Sequence, residues 1–214
     1  MAQEKKFINE SIRKMQVENY LAQEFNRAGY SHTEIQRTPM AMRITVYAHK
    51  PGMIIGRGGK NIDRITEALK EKFKFENPQL DIQEVQQPNL DAHIIANQIA
   101  NSIERGLNYK RVANMTIQKV MNSGAIGIAI RIGGKIGGAM SRVEKFSEGY
   151  LKYSGDTAET LVDIAYTTAN VKLGMIGIQV RIMRELPSDR MISKKLMEGE
   201  LNGSNEKETV ERTE

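Results

Sequence analysis

An eight-residue glycine-rich stretch decides the fold of the N-terminal part of this chain: Ile55-Gly56-Arg57-Gly58-Gly59-Lys60-Asn61-Ile62. Glycines let a backbone turn tightly and approach a ligand without a clash at Cβ, and the free N–H groups at the start of a helix point toward an anion. The stretch therefore predicts a loop that holds phosphate groups. A tight packing turn between two helices, with solvated basic side chains, is the alternative.

Two common nucleotide-binding patterns do not fit this loop. A Walker A loop needs a glycine where Ile54 stands and a Ser or Thr where Asn61 stands. A dinucleotide fingerprint that begins with Gly56 and Gly58 would need its third glycine at Asn61 as well. What remains is Gly-x-x-Gly between two helices. The sequence thus predicts neither a small-molecule substrate nor a cofactor.

The segments on both sides of the loop have clear periodicity. Apolar residues recur at helical spacing over 7–27 and again over 60–73, while strict alternation over 42–49 and an apolar run over 80–85 predict strands. One helix and one strand therefore precede the glycine loop, and a helix and a strand follow it.

Four residues, Ile55, Gly56, Gly59 and Ile62, match the signature Ile-Gly-x-x-Gly-x-x-Ile, so residues 1–88 resemble a K-homology (KH) RNA-binding domain of type II. In that family the loop clamps about four nucleotides of single-stranded backbone. The resemblance implies that glycines allow close approach and that neighbouring cations contact phosphates. The RNA-binding residues that it implies are Lys50, Gly56, Arg57, Gly58, Gly59 and Lys60.

A second α+β unit is predicted over 89–186. Pro88, Asn89 and Asp91 mark a boundary and a helix N-cap, and one helix that ends at Gly106 is followed by another over 110–121. Alternating segments over 126–132, 143–153, 161–168 and 176–183 then predict four strands. Two helices and four strands are typical of a two-layer unit with a mainly antiparallel sheet. Residues 187–214 have a polar, acidic composition that predicts disorder.

Composition restricts the class of protein. The net charge is +5, but residues 198–214 hold six glutamates, and the chain without them has 29 basic and 20 acidic residues, which suits a polyanionic partner. The absence of cysteine excludes disulfides, iron-sulfur clusters and thiolate zinc sites, and three widely spaced histidines predict no metal site. No apolar run approaches the roughly 20 residues of a membrane span, and no secretory leader is apparent, so a cytoplasmic location is expected.

The stretch from Gly133 to Gly149 carries a second and more specific resemblance. Its glycine-rich turn, its Gly-Gly-Ala step and its Arg142 and Glu144 are similar to the strand-loop-strand of the small-subunit ribosomal protein three family. Segments 161–166 and 174–178 resemble the closing hairpin of that family, in its archaeal or eukaryotic branch. The resemblance implies a structural protein of the ribosomal head in the cytoplasm, in contact with small-subunit rRNA, neighbouring ribosomal proteins and the tunnel through which mRNA enters.

Several cations of the second unit are candidate RNA contacts. The strand that carries Arg131 has only Gly and Ala elsewhere on its outer face, so a nucleic-acid backbone can lie close, and further cations follow in sequence. A face that packs against a neighbouring protein is the alternative. The candidates are Arg131, Lys135, Arg142 and Lys145.

In bacterial members of the family, an Arg-Arg-x-x-Lys pattern helps to unwind mRNA. Here Lys110 and Arg111 match its first two positions, whereas Asn114 stands where the third cation would be. The resemblance therefore implies mRNA contact for the two cations and leaves unwinding in doubt. Ordinary solvated cations on a helix are the alternative.

Two further functions compete with the ribosomal one. A free-standing KH regulator of mRNA, or a ribosome-assembly factor, would share the glycine loop. A nucleic-acid lyase would need an activated lysine beside a carboxylate. Because Asp156, Glu159 and Asp163 are interpreted as solvated charges, no enzyme is predicted.

Overall fold

The computed structural model describes residues 2–37, 42–73 and 78–186, so the predicted polar tail over 187–214 lies outside the described residues. It confirms the α+β class. The first six elements are α1 (Ala2–Phe25), β1 (Tyr30–Arg37), β2 (Met42–Ala48), α2 (Pro51–Ile55), α3 (Lys60–Phe73) and β3 (Pro78–Glu84). β2 is the central strand of their sheet, antiparallel to β1 and parallel to β3.

Helices α1 and α3 supply most of the apolar side chains that cover the first sheet. Their buried residues include Val17, Leu21, Phe25, Ile65 and Leu69, which pack with the buried residues of β2. The apolar stripe of α1 continues toward its N-terminal end as Ile8, Ile12 and Met15, but those side chains are exposed. Only the second half of the predicted amphipathic helix therefore packs on this sheet.

The second unit has seven elements: α4 (Ala92–Glu104), α5 (Tyr109–Asn122), β4 (Gly127–Gly134), β5 (Arg142–Gly149), α6 (Asp156–Leu161), β6 (Val162–Val171) and β7 (Gly174–Met183). The strand order is β5-β4-β7-β6, and every pair is antiparallel. This confirms the predicted pair of helices on a four-stranded sheet. The short helix α6 is additional, and β5 ends four residues before the predicted limit. No helix in the described part of the chain is long and apolar enough to cross a membrane.

Helices α4 and α5 cover one face of this sheet. Alternate residues of β4 and β7, among them Ile128, Ile130, Ile178 and Val180, are buried against the helices. Because side chains alternate along a strand, the residues between them lie on the opposite side. We call that side the open face.

Two carboxylates hold the segment that joins the two sheets. Asp91, only 6% exposed, caps α4, with Oδ1 accepting from the N–H groups of His93 at 2.9 Å and Ile94 at 3.2 Å, while Oδ2 accepts from the Ser31 hydroxyl of β1. The predicted N-cap is therefore confirmed. The expectation that Asp163 is a solvated charge is wrong, because this half-buried carboxylate accepts from the Ala92 N–H at 2.9 Å and from Arg184 at 3.2 Å.

A pair of glycines lets β4 and β5 meet closely. Gly127 and Gly149 lie opposite each other in the register. A Cβ on Gly149 would lie 2.2 Å from the Ile126 carbonyl oxygen, and one on Gly127 would lie 2.0 Å from the Tyr150 carbonyl oxygen. No side chain larger than hydrogen fits at either position without moving the backbone.

Candidate nucleic-acid interface

The glycine loop needs its glycines for backbone conformation. Helix α2 ends at Gly56, which has φ 70° and ψ −175°, and the following turn includes Gly58 at φ 65° and Gly59 at φ 79°. Residues with a Cβ rarely adopt such positive φ values, and the conformation of Gly56 in particular is one that glycine alone tolerates well. Helix α3 begins directly afterwards at Lys60, so its first N–H groups are adjacent to the loop.

Asn61 braces the base of the loop. Its side-chain amide donates to the Ile54 carbonyl at 3.1 Å, and a Cβ on Gly56 would lie only 2.9 Å from the Asn61 Cβ. At the tip, a Cβ on Gly58 or Gly59 would meet no atom within 4 Å. The loop is thus fixed where it joins the helices and open where a ligand backbone would approach. No structural role of Asn61 was predicted from the sequence.

The loop cations lie at both ends of this segment. Lys50 precedes α2 and Lys60 begins α3, and both side chains are exposed. The backbone of Arg57 belongs to the turn, but its side chain lies outside the described part of the structure.

Three adjacent rows of the open face, each of four residues, run across β5, β4, β7 and β6 next to a fourth row of glycines and buried apolar residues, Gly149, Gly127, Met183 and Val162. The middle row places two cations side by side, followed by an amide and an aromatic ring: Lys145, Arg131, Gln179 and Tyr166. The rows on either side are Ser147, Ala129, Arg181 and Ile164, and Val143, Gly133, Gly177 and Thr168.

The charge of the open face is entirely positive within these three rows, since none of their twelve positions carries an acidic residue. Like charges directly opposite each other in a sheet are destabilising. Lys145 and Arg131 nevertheless face one another on neighbouring strands. An anion bound between them would relieve this repulsion.

A polar network holds the side chains at the centre of the open face. With the Gln179 amide oriented so that its oxygen faces Arg181, that oxygen accepts from Nε and Nη2 of Arg181, both at 3.1 Å, and from the Tyr166 hydroxyl at 2.9 Å. The Arg181 guanidinium also lies 5.5 Å from the centre of the Tyr153 ring. Arg181 was not among the candidate RNA contacts predicted from the sequence, although it lies in the alternating segment over 176–183.

The remaining candidates are distributed around the second unit. Lys135 lies in the turn after β4, and Arg142 begins β5 in the register that faces the helices rather than the open face. Lys110 and Arg111 are exposed in the first turn of α5, on the helical layer. The structure thus brings together Arg131 and Lys145 but separates the α5 cations from them.

Comparisons with known proteins match both units of the chain. The KH domain family matches residues 16–90, and the family described as "Ribosomal protein S3, C-terminal domain" matches residues 99–182. These matches agree with the two resemblances drawn from the sequence.

Similar proteins from three archaea carry the name "Small ribosomal subunit protein uS3". The protein from Methanothrix thermoacetophila is 48% identical over 196 residues, which are 90% of this chain and 71% of the relative. The relative from Natronomonas pharaonis is 47% identical over 88% of this chain and 63% of its own length, and that from Methanoculleus marisnigri is 44% identical over 86% and 78%. The chain therefore spans somewhat less than two thirds of the Natronomonas protein.

The archaeal type predicted from the sequence agrees with these sources. Identity of 44% to 48% extends through both units in the same order. By these sequence matches, the chain belongs to the ribosomal protein S3 (uS3) family.

Proposed function

We propose that this protein is a structural constituent of the small ribosomal subunit head, located in the cytoplasm with the ribosome. In this proposal it binds rRNA, contacts neighbouring ribosomal proteins and lines the path by which mRNA enters. The observation that carries the proposal is a braced, solvent-open glycine loop in the same chain as a cationic sheet face without acidic residues. The names of the relatives, all small-subunit proteins, support it.

The proposed mechanism uses fixed charge and close backbone approach, with no bond made or broken. Phosphate contacts position a protein on RNA without reading its sequence. In this proposal the two units predicted from the sequence bind RNA through different surfaces. Residues 1–88 bind it through the glycine loop, and residues 89–186 bind it through the open face. The proposed RNA-binding residues are Lys50, Gly56, Arg57, Gly58, Gly59 and Lys60 in the first unit and Lys110, Arg111, Arg131, Lys135, Arg142 and Lys145 in the second.

Sedimentation tests the ribosomal assignment. Epitope-tagged protein in a cell extract is expected to travel with small-subunit rRNA through a density gradient, at moderate and at high salt, in near-stoichiometric amount. Salt weakens every phosphate contact, so retention at high salt requires a high starting affinity, which many contacts formed together are expected to supply. Protein that stays at the top of the gradient would instead favour a free KH regulator, and protein only on precursor particles would favour an assembly factor.

The two cations of α5 are proposed to contact mRNA. The Asn108 side chain caps this helix by accepting from the Lys110 N–H at 3.0 Å, so both cations start from a fixed backbone. In small subunits, K110Q/R111Q is expected to weaken mRNA binding about tenfold, or about 1.4 kcal/mol, since two phosphate contacts are lost. Filter retention of labelled mRNA measures the change.

Lys119 on the same helix provides the matched control. It lies in the last turn of α5, where its ammonium reaches the Gln98 side chain at 3.3 Å. K119Q is expected to leave mRNA binding unchanged. Equal effects of K110Q/R111Q and K119Q would indicate a general loss of charge and would remove the specific role of Lys110 and Arg111.

A further inference from the structure

A large cleft separates the two units and is lined by both. It has a volume of about 1160 Å³, with α1 and β1 on one side and the second sheet on the other. Drug-sized ligands usually occupy pockets of roughly 300 to 1,000 Å³. The cleft is partly open to solvent and larger than such ligands need, so it suits a segment of a polymer. The lining residues that matter below are Asn19, Gln23, His32, Arg131, Tyr166 and Gln179.

The floor of the cleft is built from two rows of the open face. Gly133 and Gly177 occupy the middle of one row, so the floor is low there and a ligand backbone can approach the sheet closely. Arg131 stands beside these glycines in the next row. The low floor leaves room for a sugar-phosphate backbone. The adjacent guanidinium of Arg131 can bind a phosphate of that backbone, because Arg presents a planar fork of N–H donors.

Tyr166 is suited to stacking on a base. Its side chain is 68% exposed, and its hydroxyl is hydrogen-bonded to Gln179 at 2.9 Å, which favours one position of the side chain on the sheet. An exposed aromatic ring of this kind can stack on an unpaired base of any sequence, because every base has a π-face. The amides of Asn19 and Gln23 on the opposite wall offer both donors and acceptors to base edges.

The walls of the cleft are already fixed. The hydrogen bond between Ser31 and Asp91 ties β1 to the start of α4. His32 is stacked on Tyr47 with ring centroids 4.4 Å apart, and burial raises the pKa of the neighbouring Tyr30, whose hydroxyl lies 2.9 Å from Thr33 Oγ1. A preformed site loses less conformational entropy on binding than one that must close.

The cleft lies near the helix that precedes the glycine loop. The Lys50 N–H donates to the Ala28 carbonyl at 3.1 Å, and Tyr30 pairs with Ala48. Helix α2 therefore starts beside the beginning of β1, and the first four residues of β1 line the cleft. The glycine loop begins at the other end of this five-residue helix, a distance that a few nucleotides can span.

We propose that the cleft binds an unpaired RNA segment continuous with the nucleotides at the glycine loop. One base stacks on Tyr166, and Arg131 contacts a phosphate. This inference rests on the RNA binding proposed above and extends it from the loop to a path between the two units. A neighbouring protein is the competing occupant. Glu18 on the α1 wall would repel a phosphate close to it, whereas the guanidinium, the glycine floor and the exposed ring on the opposite side favour RNA.

Oligonucleotide length tests the proposal. The full chain is titrated with fluorescently labelled oligouridylates of four and of ten nucleotides, since about four nucleotides occupy a KH loop. The ten-nucleotide RNA is expected to bind more tightly. Y166A and R131Q are each expected to lower the affinity for the ten-nucleotide RNA about tenfold, because one stacked base contributes about 1 to 3 kcal/mol. Neither variant should change the affinity for the four-nucleotide RNA. Y166F, which keeps the ring, should bind almost as well as the original chain.

Two further variants separate a local effect from a general one. R105Q removes an exposed arginine that follows α4, away from the cleft lining, and should change neither affinity. G177V places a branched side chain on the cleft floor, where a Cβ would meet its nearest backbone atom only at 3.9 Å, so the fold tolerates it while the floor is filled. G177V should lower the affinity for the ten-nucleotide RNA by about as much as Y166A does.

The outcomes distinguish the cleft from the proposed function. If mutation of the glycine loop abolishes binding of both RNAs while Y166A, R131Q and G177V change neither, the cleft proposal is overturned and RNA binding by the loop stands. If loop mutation itself changes neither affinity, the proposed function fails first. If the cleft variants keep full RNA affinity but lose a protein from sedimented subunits, the occupant is a protein and the proposal is wrong.

Discussion

Replacement of Arg57 and Gly58 by aspartates, R57D/G58D, is expected to abolish single-stranded RNA binding, with a loss of at least about 100-fold, or about 2.7 kcal/mol. The two carboxylates would stand where phosphates approach, and one positive charge would be lost. The fold is expected to persist, because Gly58 has the left-handed φ of 65° that Asp tolerates better than most residues, and its Cβ would meet nothing within 4 Å.

Filter-binding titration measures this loss, and circular dichroism checks the fold. K119D/G124D is the matched control, since Gly124 also has positive φ and an unobstructed Cβ, and the charge change is identical. It should keep most of the RNA affinity. Unchanged affinity in R57D/G58D would remove the glycine loop from the mechanism.

The salt dependence of the same titration reports the number of phosphates bound. On single-stranded RNA each contacted phosphate contributes about −0.7 to the slope of log affinity against log salt concentration, so five contacts would give a slope of about −3.5. The residual binding of R57D/G58D is expected to have a shallower slope, because the remaining cations of the loop reach fewer phosphates.

The substitution G149A is expected to destabilise the second unit by about 2 to 5 kcal/mol. Alanine at φ 76° costs about 1 to 2 kcal/mol, and the forced separation of packed atoms adds about 1 to 3 kcal/mol. The obstacles are the Ile126 carbonyl oxygen at 2.2 Å and the Gly127 Cα at 2.9 Å, both backbone atoms that a rotamer change cannot move. The midpoint of urea unfolding, followed by circular dichroism, measures the loss.

The substitution G106A isolates the contribution of close approach. Gly106, in the turn that ends α4, has a similar φ of 86°, but a Cβ there would meet no atom within 4 Å. G106A should therefore carry only the conformational cost, about 1 to 2 kcal/mol. If both alanine variants unfolded at the same urea concentration, the close approach of β4 and β5 would make no contribution to the free energy of unfolding.

The parts of the fold that sequence predicted well are those with a sustained period. Helix α3 and strand β4 have apolar residues at regular spacing over most of their length, and both formed where expected. Helix α6 was missed because six residues are too few to establish a helical period. Only one strand was predicted before the glycine loop, and β1 was missed because this edge strand is mostly polar and half-exposed.

The residues of the candidate site were also predictable only in part. The glycine loop is a contiguous motif, so its residues could be named from sequence. The partner of Asp163 is the N–H of Ala92, 71 residues earlier, and the cleft combines β1 with β7. Such contacts depend on strand register and on the angle between the units, which no local pattern encodes.

The strand order β5-β4-β7-β6 also bears on how the chain is made. All strands of the first sheet have been synthesised by Glu84, whereas β4 receives its second neighbour only when Met183 has been added, about fifty residues after β4 itself. At about 5 to 20 residues per second, that interval lasts about 3 to 10 s. During this time one edge of β4 stays unpaired beside its isoleucines, so a nascent chain that stalls before β7 offers chaperones and proteases an apolar, aggregation-prone target.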